Sequence, residues 1–277
     1  MEYKIVVDSC TDLPKILKED PAIKVVPLTL MVGDLVYMDN QEFDQKKFLQ
    51  TMKASPSSPK SACPSPDDYL KEFNGGDNVF AVTISAELSG SYNSAELAKR
   101  LYLEENKKDI EVINSRSASV GQTLIVMKIK ELISEGYSFR SIVEKVNAFR
   151  SDMKTKFVLE SLDNLKKSGR LSNIKALVAN VLNIKPIMGA TPEGTITKID
   201  QARGIKKALI AMAKTIERDV IRPKERILGI AHCNCLERAQ FFKEEILKLV
   251  PFKDCFIVDT AGVSTMYANE GGIIVAY

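Results

Sequence analysis

The chain lacks the sequence signatures of several common enzyme classes. It has no G-x-x-x-x-G-K-[ST] segment, which argues against a P-loop kinase, and no G-x-S-x-G elbow of the kind that presents a nucleophilic serine. Its 277 residues include one histidine, His232, so any mechanism that uses imidazole depends on this side chain. Because His232 follows the apolar stretch 227–231, we expect it to be a structural residue at the end of a strand.

Long apolar runs and paired cysteines are also missing. No run approaches the roughly 20 residues of a membrane-spanning helix, and we expect no signal peptide. The five cysteines form no C-x-x-C pair, which is typical of reduced thiols in a cytoplasmic protein. Cys233 and Cys235 follow His232 closely, but strand alternation would send the histidine and the cysteines to opposite faces, so we predict no metal site.

The charge is nearly balanced overall but unevenly distributed. Residues 1–150 carry 19 basic and 22 acidic side chains, whereas residues 151–277 carry 20 and 14. Nine Lys and Arg residues lie between Lys166 and Lys207, with only two acids. This basic segment is either a solvated face or a docking surface for an anionic ligand or an acidic protein. We expect no nucleic-acid partner, because the charge does not interleave with aromatic residues.

The first half of the chain alternates short apolar runs with helical stretches, which is typical of a mainly parallel sheet flanked by helices. An extended pair with a turn at Gly33-Asp34 is predicted within 23–38. The other predicted strands are 3–8, 79–84 and 110–114, and the predicted helices are 12–19, 44–54, 67–73, 91–105 and those within 117–150.

The second half predicts a mixed α+β arrangement. Residues 183–188 and 195–199, separated by the turn 192–194, have the pattern of a hairpin. The other predicted strands are 155–160, 227–231, 254–258 and 273–277, and the predicted helices are a short one ending at 168–170, then 204–218 and 236–249. We therefore predict an α/β chain of two domains, 1–150 and 151–277.

Hydroxyl side chains follow three predicted strands, at Ser9, Ser85 and Ser115. Ligands of parallel sheets lie in the crevice beyond the carboxyl ends of the strands, where hydroxyls can donate and accept hydrogen bonds. Ser89 and Gly90 also precede the predicted helix 91–105, whose free N–H groups and positive dipole end favour a carboxylate or phosphate. A plain helix cap is the alternative interpretation. Residues 54–68, with four prolines and five serines, suggest a linker or surface loop.

Seven segments together resemble the DegV family, in order and over nearly the whole chain. They are DS at 8–9, SACPS at 61–65, ISAELSGSY at 84–92, NS at 114–115, LKKSGRL at 165–171, NIKPI at 183–187 and ARG at 202–204. The resemblance implies that an acyl chain lies in an apolar tunnel between two domains. It also implies a carrier without a cofactor or chemistry of its own, similar to the fatty-acid-binding subunits of bacterial fatty-acid kinases. A separate kinase subunit would phosphorylate the carboxylate of the long-chain fatty acid.

The resemblance also assigns roles to individual residues. Ser61 and Ser89, with Gly90, are expected to bind the carboxylate, which turns the proline-rich segment into a binding loop. Arg170 and Arg203 are expected to face the kinase, and peripheral membrane contact is expected during ligand exchange. Arginine suits such partners because its planar fork can bind carboxylate or phosphate bidentately.

The tail of the chain departs from the family pattern. Many members carry a histidine there that approaches the carboxylate, and this chain has none at the corresponding positions. Ser264, Thr265 and Tyr267 are the candidates to replace it, and the sequence does not decide among them.

Two other functions stay open at this stage. One is an enzyme that acts on a small phosphorylated or carboxylated metabolite, with Asp8 or His232 as the general base. The other is a scaffold whose ligand regulates the binding of a partner.

Overall fold

The first half of the chain is built on a four-stranded parallel sheet. The computed structural model describes residues 3–171 and 183–277. The first elements are β1 (Tyr3–Asp8), α1 (Lys15–Lys18), β2 (Ile23–Val26), β3 (Thr29–Val32), β4 (Leu35–Met38), α2 (Gln45–Ala54), β5 (Lys60–Ala62), α3 (Pro66–Phe73), β6 (Asn78–Thr83), α4 (Ser91–Glu105), β7 (Asp109–Asn114), α5 (Val120–Ser134) and α6 (Phe139–Asp152). The parallel sheet has the strand order β2-β1-β6-β7.

Helices cover both faces of this parallel sheet, which is why its central strands are apolar throughout. All six residues of β6 are buried. Side chains of α5 and α6, such as Ile125 and Ile142, pack on one face with Val7. Tyr69 and Phe73 of α3 pack on the other face with Val6.

A small antiparallel sheet lies beside the parallel one, with strand order β4-β3-β5. It forms because Pro27 separates β2 from β3, so that β2 joins the parallel sheet and β3 turns back through Gly33 to pair with β4. β5 comes from the proline-rich segment and pairs as an edge strand with β3. An edge position tolerates neighbouring prolines, because a missing N–H there breaks no central ladder.

The second half is built on a mixed six-stranded sheet, with order β10-β9-β8-β13-β11-β12. Its elements are β8 (Thr155–Val158), α7 (Asp163–Lys167), β9 (Ile184–Ala190), β10 (Ile196–Arg203), α8 (Ile205–Asp219), β11 (Ile227–His232), α9 (Leu236–Leu249), β12 (Asp254–Asp259), α10 (Gly262–Ala268) and β13 (Ile273–Ala276). The β11–β12 pair is parallel and the other pairs of this sheet are antiparallel. The prediction of a mainly parallel first sheet and a mixed α+β second half is confirmed.

The two halves share a hydrophobic contact through α5. Val120 and Leu124 of this helix pack against Ala231, Val258 and Ala276 of the second sheet. The domain boundary near residue 150 stays a prediction. Among the described helices, none combines the length and the apolar character needed to cross a bilayer.

Candidate ligand-binding site

An apolar cavity lies between the two halves of the chain. The empty space inside it and at its opening amounts to about 760 Å³. Its wall is mainly aliphatic and aromatic, and it includes Ile84, Leu88, Phe157, Leu159, Leu165, Ile196, Val263 and Ile274. A cavity of this character excludes charged groups from its interior and favours an apolar ligand.

Strand β8 gives the cavity its long axis. Thr155 and Phe157, and Leu159 just beyond the strand, alternate along the chain, and all three line the cavity. Four residue steps in a strand span about 13 Å. At one end of this row, Thr155 Oγ1 lies 2.6 Å from Ser117 Oγ, and both side chains are buried. The cavity therefore extends about 13 Å along β8, with this buried hydroxyl pair at one end of the row.

Two half-buried polar side chains, Arg170 and Tyr267, also line the cavity, and Tyr267 packs in one cluster with Leu159. The hydroxyl of Tyr267 lies 3.1 Å from Ser61 Oγ on β5. The guanidinium carbon of Arg170 lies 5.8 Å from the centre of the Tyr267 ring. Arg170 also donates from Nε to the Leu88 carbonyl, at 3.1 Å, and from Nη1 to that of Ser168, at 2.7 Å. Polar groups thus converge at this part of the cavity wall.

Ser89 and Gly90 directly precede α4 and lie beside the segment of Ser61. Ser89 Oγ accepts a hydrogen bond from the Ser91 N–H at 3.3 Å, and the N-cap residue of the helix is Gly90, which has no side-chain cap. A Cβ added at Gly90 would lie 3.1 Å from Cys63 Sγ. Glycine therefore allows the α4 start and the proline-rich segment to pack closely. The structure brings the segments of Ser61 and Ser89 together. Leu88, next to Ser89, lines the cavity, whereas Ser61, Ser89 and Gly90 lie behind the lining residues.

Asp8 is hydrogen-bonded to the first residue of α4 and does not line the cavity. Its carboxylate accepts hydrogen bonds from the Ile84 N–H at 2.8 Å, the Ser91 hydroxyl at 2.6 Å and the Gln122 amide at 2.8 Å. Burial raises the pKa of Asp8 and these hydrogen bonds oppose the rise. With its oxygens occupied by protein donors, Asp8 is not positioned as a general base for a ligand in the cavity.

His232 also lies away from the cavity wall. Its Nδ1 accepts a hydrogen bond from the Cys235 N–H at 3.3 Å, and burial lowers the pKa of the ring. Asp259 Oδ1, 3.4 Å from Nδ1, partly opposes this effect of burial. His232 is therefore a structural residue at the end of β11. Within residues 3–171 and 183–277, no group of three or more His, Cys, Asp or Glu side chains is placed to share a metal ion.

The serine hydroxyls that follow the three strands form hydrogen bonds with backbone groups of nearby loops. Ser9 Oγ accepts from the Leu28 N–H at 2.9 Å. Ser115 Oγ donates to the carbonyl of Ser117 at 3.0 Å. Ser85 Oγ donates to the Gly194 carbonyl at 2.8 Å, so this hydroxyl joins the first half to the hairpin of the second. These three serines therefore stabilise the walls around the cavity.

Helix α10 places the three candidate side chains of the tail in different surroundings. Thr265 is buried, with Oγ1 2.8 Å from Thr260 Oγ1 and accepting from Gln45 at 3.2 Å, and it does not line the cavity. Ser264 lines the cavity but donates to the Cys10 carbonyl at 3.4 Å. Tyr267, one turn further on the same helix face as Ser264, is the side chain that reaches Ser61.

The basic residues of the second half are dispersed. Arg203 is exposed at the end of edge strand β10, whereas Arg170 contributes to the cavity. Lys185 forms an ion pair with Glu160 at 2.6 Å. Lys175, another member of the basic segment, lies outside the described residues.

Comparison with known families gives one match over almost the whole chain. The model described as "Uncharacterised protein, DegV family" matches residues 2–277. A DegV domain-containing protein of Streptococcus gordonii is 41% identical over 280 residues, which cover 100% of this chain and 99% of the relative.

Solved structures agree with this match. A protein of the DegV family from Ruminococcus gnavus, in a structure described with vaccenic acid, is 46% identical with a TM-score of 0.98, covering 100% of this chain and 99% of the other. The Streptococcus pneumoniae Fatty Acid Kinase (Fak) B3 protein, loaded with linoleic acid, is 38% identical with a TM-score of 0.92 and the same coverage. These structural relatives bind fatty acids in their solved structures.

Proposed function

Since the chain belongs to the DegV family, we propose that it binds a long-chain fatty acid in the cavity between its halves and presents the carboxylate to a separate acyl kinase. The observation that supports this function best is an aliphatic cavity with hydroxyl and guanidinium groups at one part of its wall. Each methylene group buried there contributes about 0.8 kcal/mol to binding. An acyl chain fits this contrast between a mainly apolar wall and one polar part, and a small polar metabolite does not.

We propose that Ser61, Ser89 and Gly90 hold the carboxylate. Ser61 would donate from its hydroxyl, and the α4 start would offer backbone N–H groups and a positive dipole end. The support is the close packing of the two segments, which Gly90 allows beside Cys63. Ser89 Oγ now accepts from the Ser91 N–H, and its own proton remains available for a ligand.

The fatty acid itself is the first test of this function. We expect protein purified from a bacterial host to release a long-chain fatty acid under denaturing mass spectrometry. The double variant Ser61→Ala, Ser89→Ala should retain less than a tenth of that occupancy after washing with acceptor vesicles, because two head-group contacts are lost. The matched control is Ser134→Ala, Ser151→Ala, which removes two exposed hydroxyls of helices α5 and α6.

Equal occupancy in the two double variants would contradict the head-group site. Absence of any fatty acid from the unaltered protein, even after incubation with oleate, would contradict the function as a whole. These two results separate an error in the site from an error in the ligand.

We propose that the kinase docks on the second half of the chain, in the cytoplasm, with Arg170 and Arg203 facing it. Arg170 lies where the carboxylate would emerge, and Arg203 is exposed on an edge strand. Arg203→Glu should weaken association with the acyl kinase at least tenfold in a biolayer binding assay, without loss of fatty acid. Arg140→Glu, on the exposed face of α6, is the control. Equal affinities for the kinase in both variants would exclude this docking face.

We also propose that the hairpin of β3 and β4 contacts an anionic membrane during ligand exchange. Its exposed apolar side chains are Leu35, Val36 and Met38. Helix α2 packs beside them through Tyr37, whose ring meets Phe48 at 5.1 Å. The segment 45–66 carries four exposed lysines and no acid, which suits an anionic lipid surface, and these lysines are Lys46, Lys47, Lys53 and Lys60.

Vesicle sedimentation tests this membrane contact. Val36→Asp should reduce binding to phosphatidylglycerol vesicles several-fold, because a charge would replace an apolar side chain that is 64% exposed. Ile16→Asp changes a residue of α1 that is 80% exposed and lies outside the hairpin, and it should leave binding unchanged. If both variants lose vesicle binding, or if neither does, the hairpin of β3 and β4 is not the membrane contact.

A further inference from the structure

We infer that Tyr267 is a third ligand of the fatty-acid carboxylate and that Arg170 holds its ring in place. This inference rests on the proposed function and extends it, because it assigns the polar part of the cavity to a phenol from the second half. The carboxylate would then be held from both halves of the chain, by Ser61 and the α4 start on one side and by Tyr267 on the other.

The positions of the two hydroxyls carry the inference. Tyr267 lines the cavity, and its hydroxyl lies 3.1 Å from Ser61 Oγ across 206 residues of sequence. In this contact one hydroxyl donates to the other, so one of the two protons remains unused. When a carboxylate arrives, both hydroxyls can rotate and donate to it, because an ionised carboxylate accepts and never donates. The pair therefore forms a two-proton receptor for an anionic oxygen.

The other hydroxyls on α10 are already committed. Thr265 faces Thr260 and Gln45 and is closed off from the cavity. Ser264 borders the cavity but lies beside Cys10, whose carbonyl it contacts, and not beside Ser61. Tyr267 is consequently the α10 side chain that combines access to the cavity with contact to the head-group segment.

Arg170 fixes the phenol ring from its other side. Its guanidinium donates to the Leu88 and Ser168 carbonyls, which hold it 5.8 Å from the ring centre. An arginine over an aromatic face is attracted by the ring electrons, and its positive charge also favours a carboxylate nearby. Leu88 is adjacent to Ser89, so the same arginine ties the α4 segment to the tyrosine.

Binding of oleate to the delipidated protein tests the role of the phenol. Tyr267→Phe keeps the ring for Arg170 and removes only the hydroxyl, so we expect oleate affinity to fall by about 10- to 100-fold, the loss of one hydrogen bond to a charged group. Tyr137→Phe, the same change at a tyrosine that is 37% exposed and does not line the cavity, should change the affinity less than threefold. Both proteins should unfold at the temperature of the parent, which would show that the fold is intact.

A neutral ligand separates contact from a merely structural effect. Methyl oleate has the same chain without the negative charge, so Tyr267→Phe should weaken its binding less than tenfold. Equal losses for oleate and methyl oleate, or no loss for oleate, would overturn the inference. If the unaltered protein bound neither ligand, the proposed function would fail and this inference with it.

A change of pH gives an independent readout. An imidazole changes its charge near pH 6.5, and its protonated form attracts a carboxylate. Tyr267→His should therefore make oleate affinity rise at least several-fold as the pH is lowered from 8 to 5.5, relative to the parent. An unchanged pH profile in this variant would show that position 267 does not contact the carboxylate.

Discussion

At the scale of single residues, Lys156 shows that successive side chains of β8 point to opposite faces of the sheet and have different roles. Its neighbours Thr155 and Phe157 face the cavity, while Lys156 points into the second half and is almost fully buried. Its ammonium donates to Asp219 Oδ2 at 2.6 Å and to Thr215 Oγ1 at 3.0 Å. Asp219 also accepts from the Tyr277 hydroxyl at 2.6 Å. Removal of the aspartate would leave a buried ammonium without its counter-charge.

We predict that Asp219→Ala destabilises the protein by about 3 kcal/mol, the lower end of the range for breaking a buried ion pair. The lower end applies because the Asp219 side chain is one third exposed. The free energy of unfolding, measured by urea titration, checks this value. Asp152→Ala breaks ion pairs with Arg222 and Arg226 at a more exposed site, and it should cost about 1 kcal/mol or less. Equal costs for the two variants would contradict the argument.

The sequence predicts some residues of the candidate site and leaves the role of others undecided. Motifs and helix-start chemistry predict Ser89-Gly90 as part of the site, because the start of a helix is a local pattern in sequence. The contact between Ser61 and Tyr267 is set by how β5 and α10 meet in space, and no spacing in the sequence encodes it. For that reason the sequence leaves Ser264, Thr265 and Tyr267 equivalent, and only the tertiary structure separates them.

At the scale of elements, α10 depends on carboxylates from the other half of the chain. The Ala261 N–H donates to Asp12 at 2.6 Å, and those of Gly262 and Val263 donate to the two oxygens of Asp39 at 2.7 and 2.8 Å. A negative charge at a helix start is favourable. A Cβ at Gly262 would lie 2.6 Å from the Asp39 carboxylate, which explains why this helix begins with glycine.

We predict that Asp39→Asn loosens α10. An amide keeps one acceptor oxygen and turns a donor toward the second N–H, which leaves a buried donor unpaired at a cost of about 1–3 kcal/mol. Amide hydrogen exchange at Gly262 and Val263 should accelerate by at least tenfold, and oleate affinity should fall because α10 carries Tyr267. Asp34→Asn, in the exposed hairpin turn, is the control. Unchanged exchange at both amides would show that Asp39 does not hold the helix.

The elements differ in how far their sequence predicts them. Strands β1, β6 and β7 and helix α4 lie within one residue of the predicted bounds, because buried apolar runs and helix caps are strong local signals. Helix α10 was not predicted. Its residues GVSTMYA are small or polar and nearly all buried, so they form no amphipathic pattern. The predicted pair within 23–38 was partly wrong, since β2 joins a different sheet from β3 and β4.

At the scale of the whole molecule, buried carboxyls make stability depend on pH. Burial is the main cause that raises the pKa of Asp12 to about 7 and that of Asp39 to about 6. An unfolded aspartate has a pKa near 3.9. The folded protein therefore binds these protons more tightly than the unfolded chain, and their contribution is complete below about pH 4 and lost as the pH rises through 6 to 7.

We predict that the free energy of unfolding loses up to about 1.4 kcal/mol per pH unit through Asp12 between pH 4.5 and 7. Asp12→Asn removes the titrating group, so the difference in stability between parent and variant should change over this range and stay constant above pH 8. The lowered pKa of His232 acts in the opposite direction, and taking the difference cancels it. Parallel stability profiles from pH 4.5 to 8 would refute the assignment.

The cavity wall is also part of the protein interior. Ile84 and Val263 belong to one hydrophobic cluster with Leu30 and Phe48, and Leu159 and Ile196 belong to another. An acyl chain placed between these clusters would fill the space between them, as a buried apolar side chain fills its place in a protein core. The empty protein then corresponds to a large-to-small core mutant, and loading corresponds to its repair. Lipid supply and protein lifetime would thus be linked, because an unloaded molecule unfolds more readily and is removed sooner.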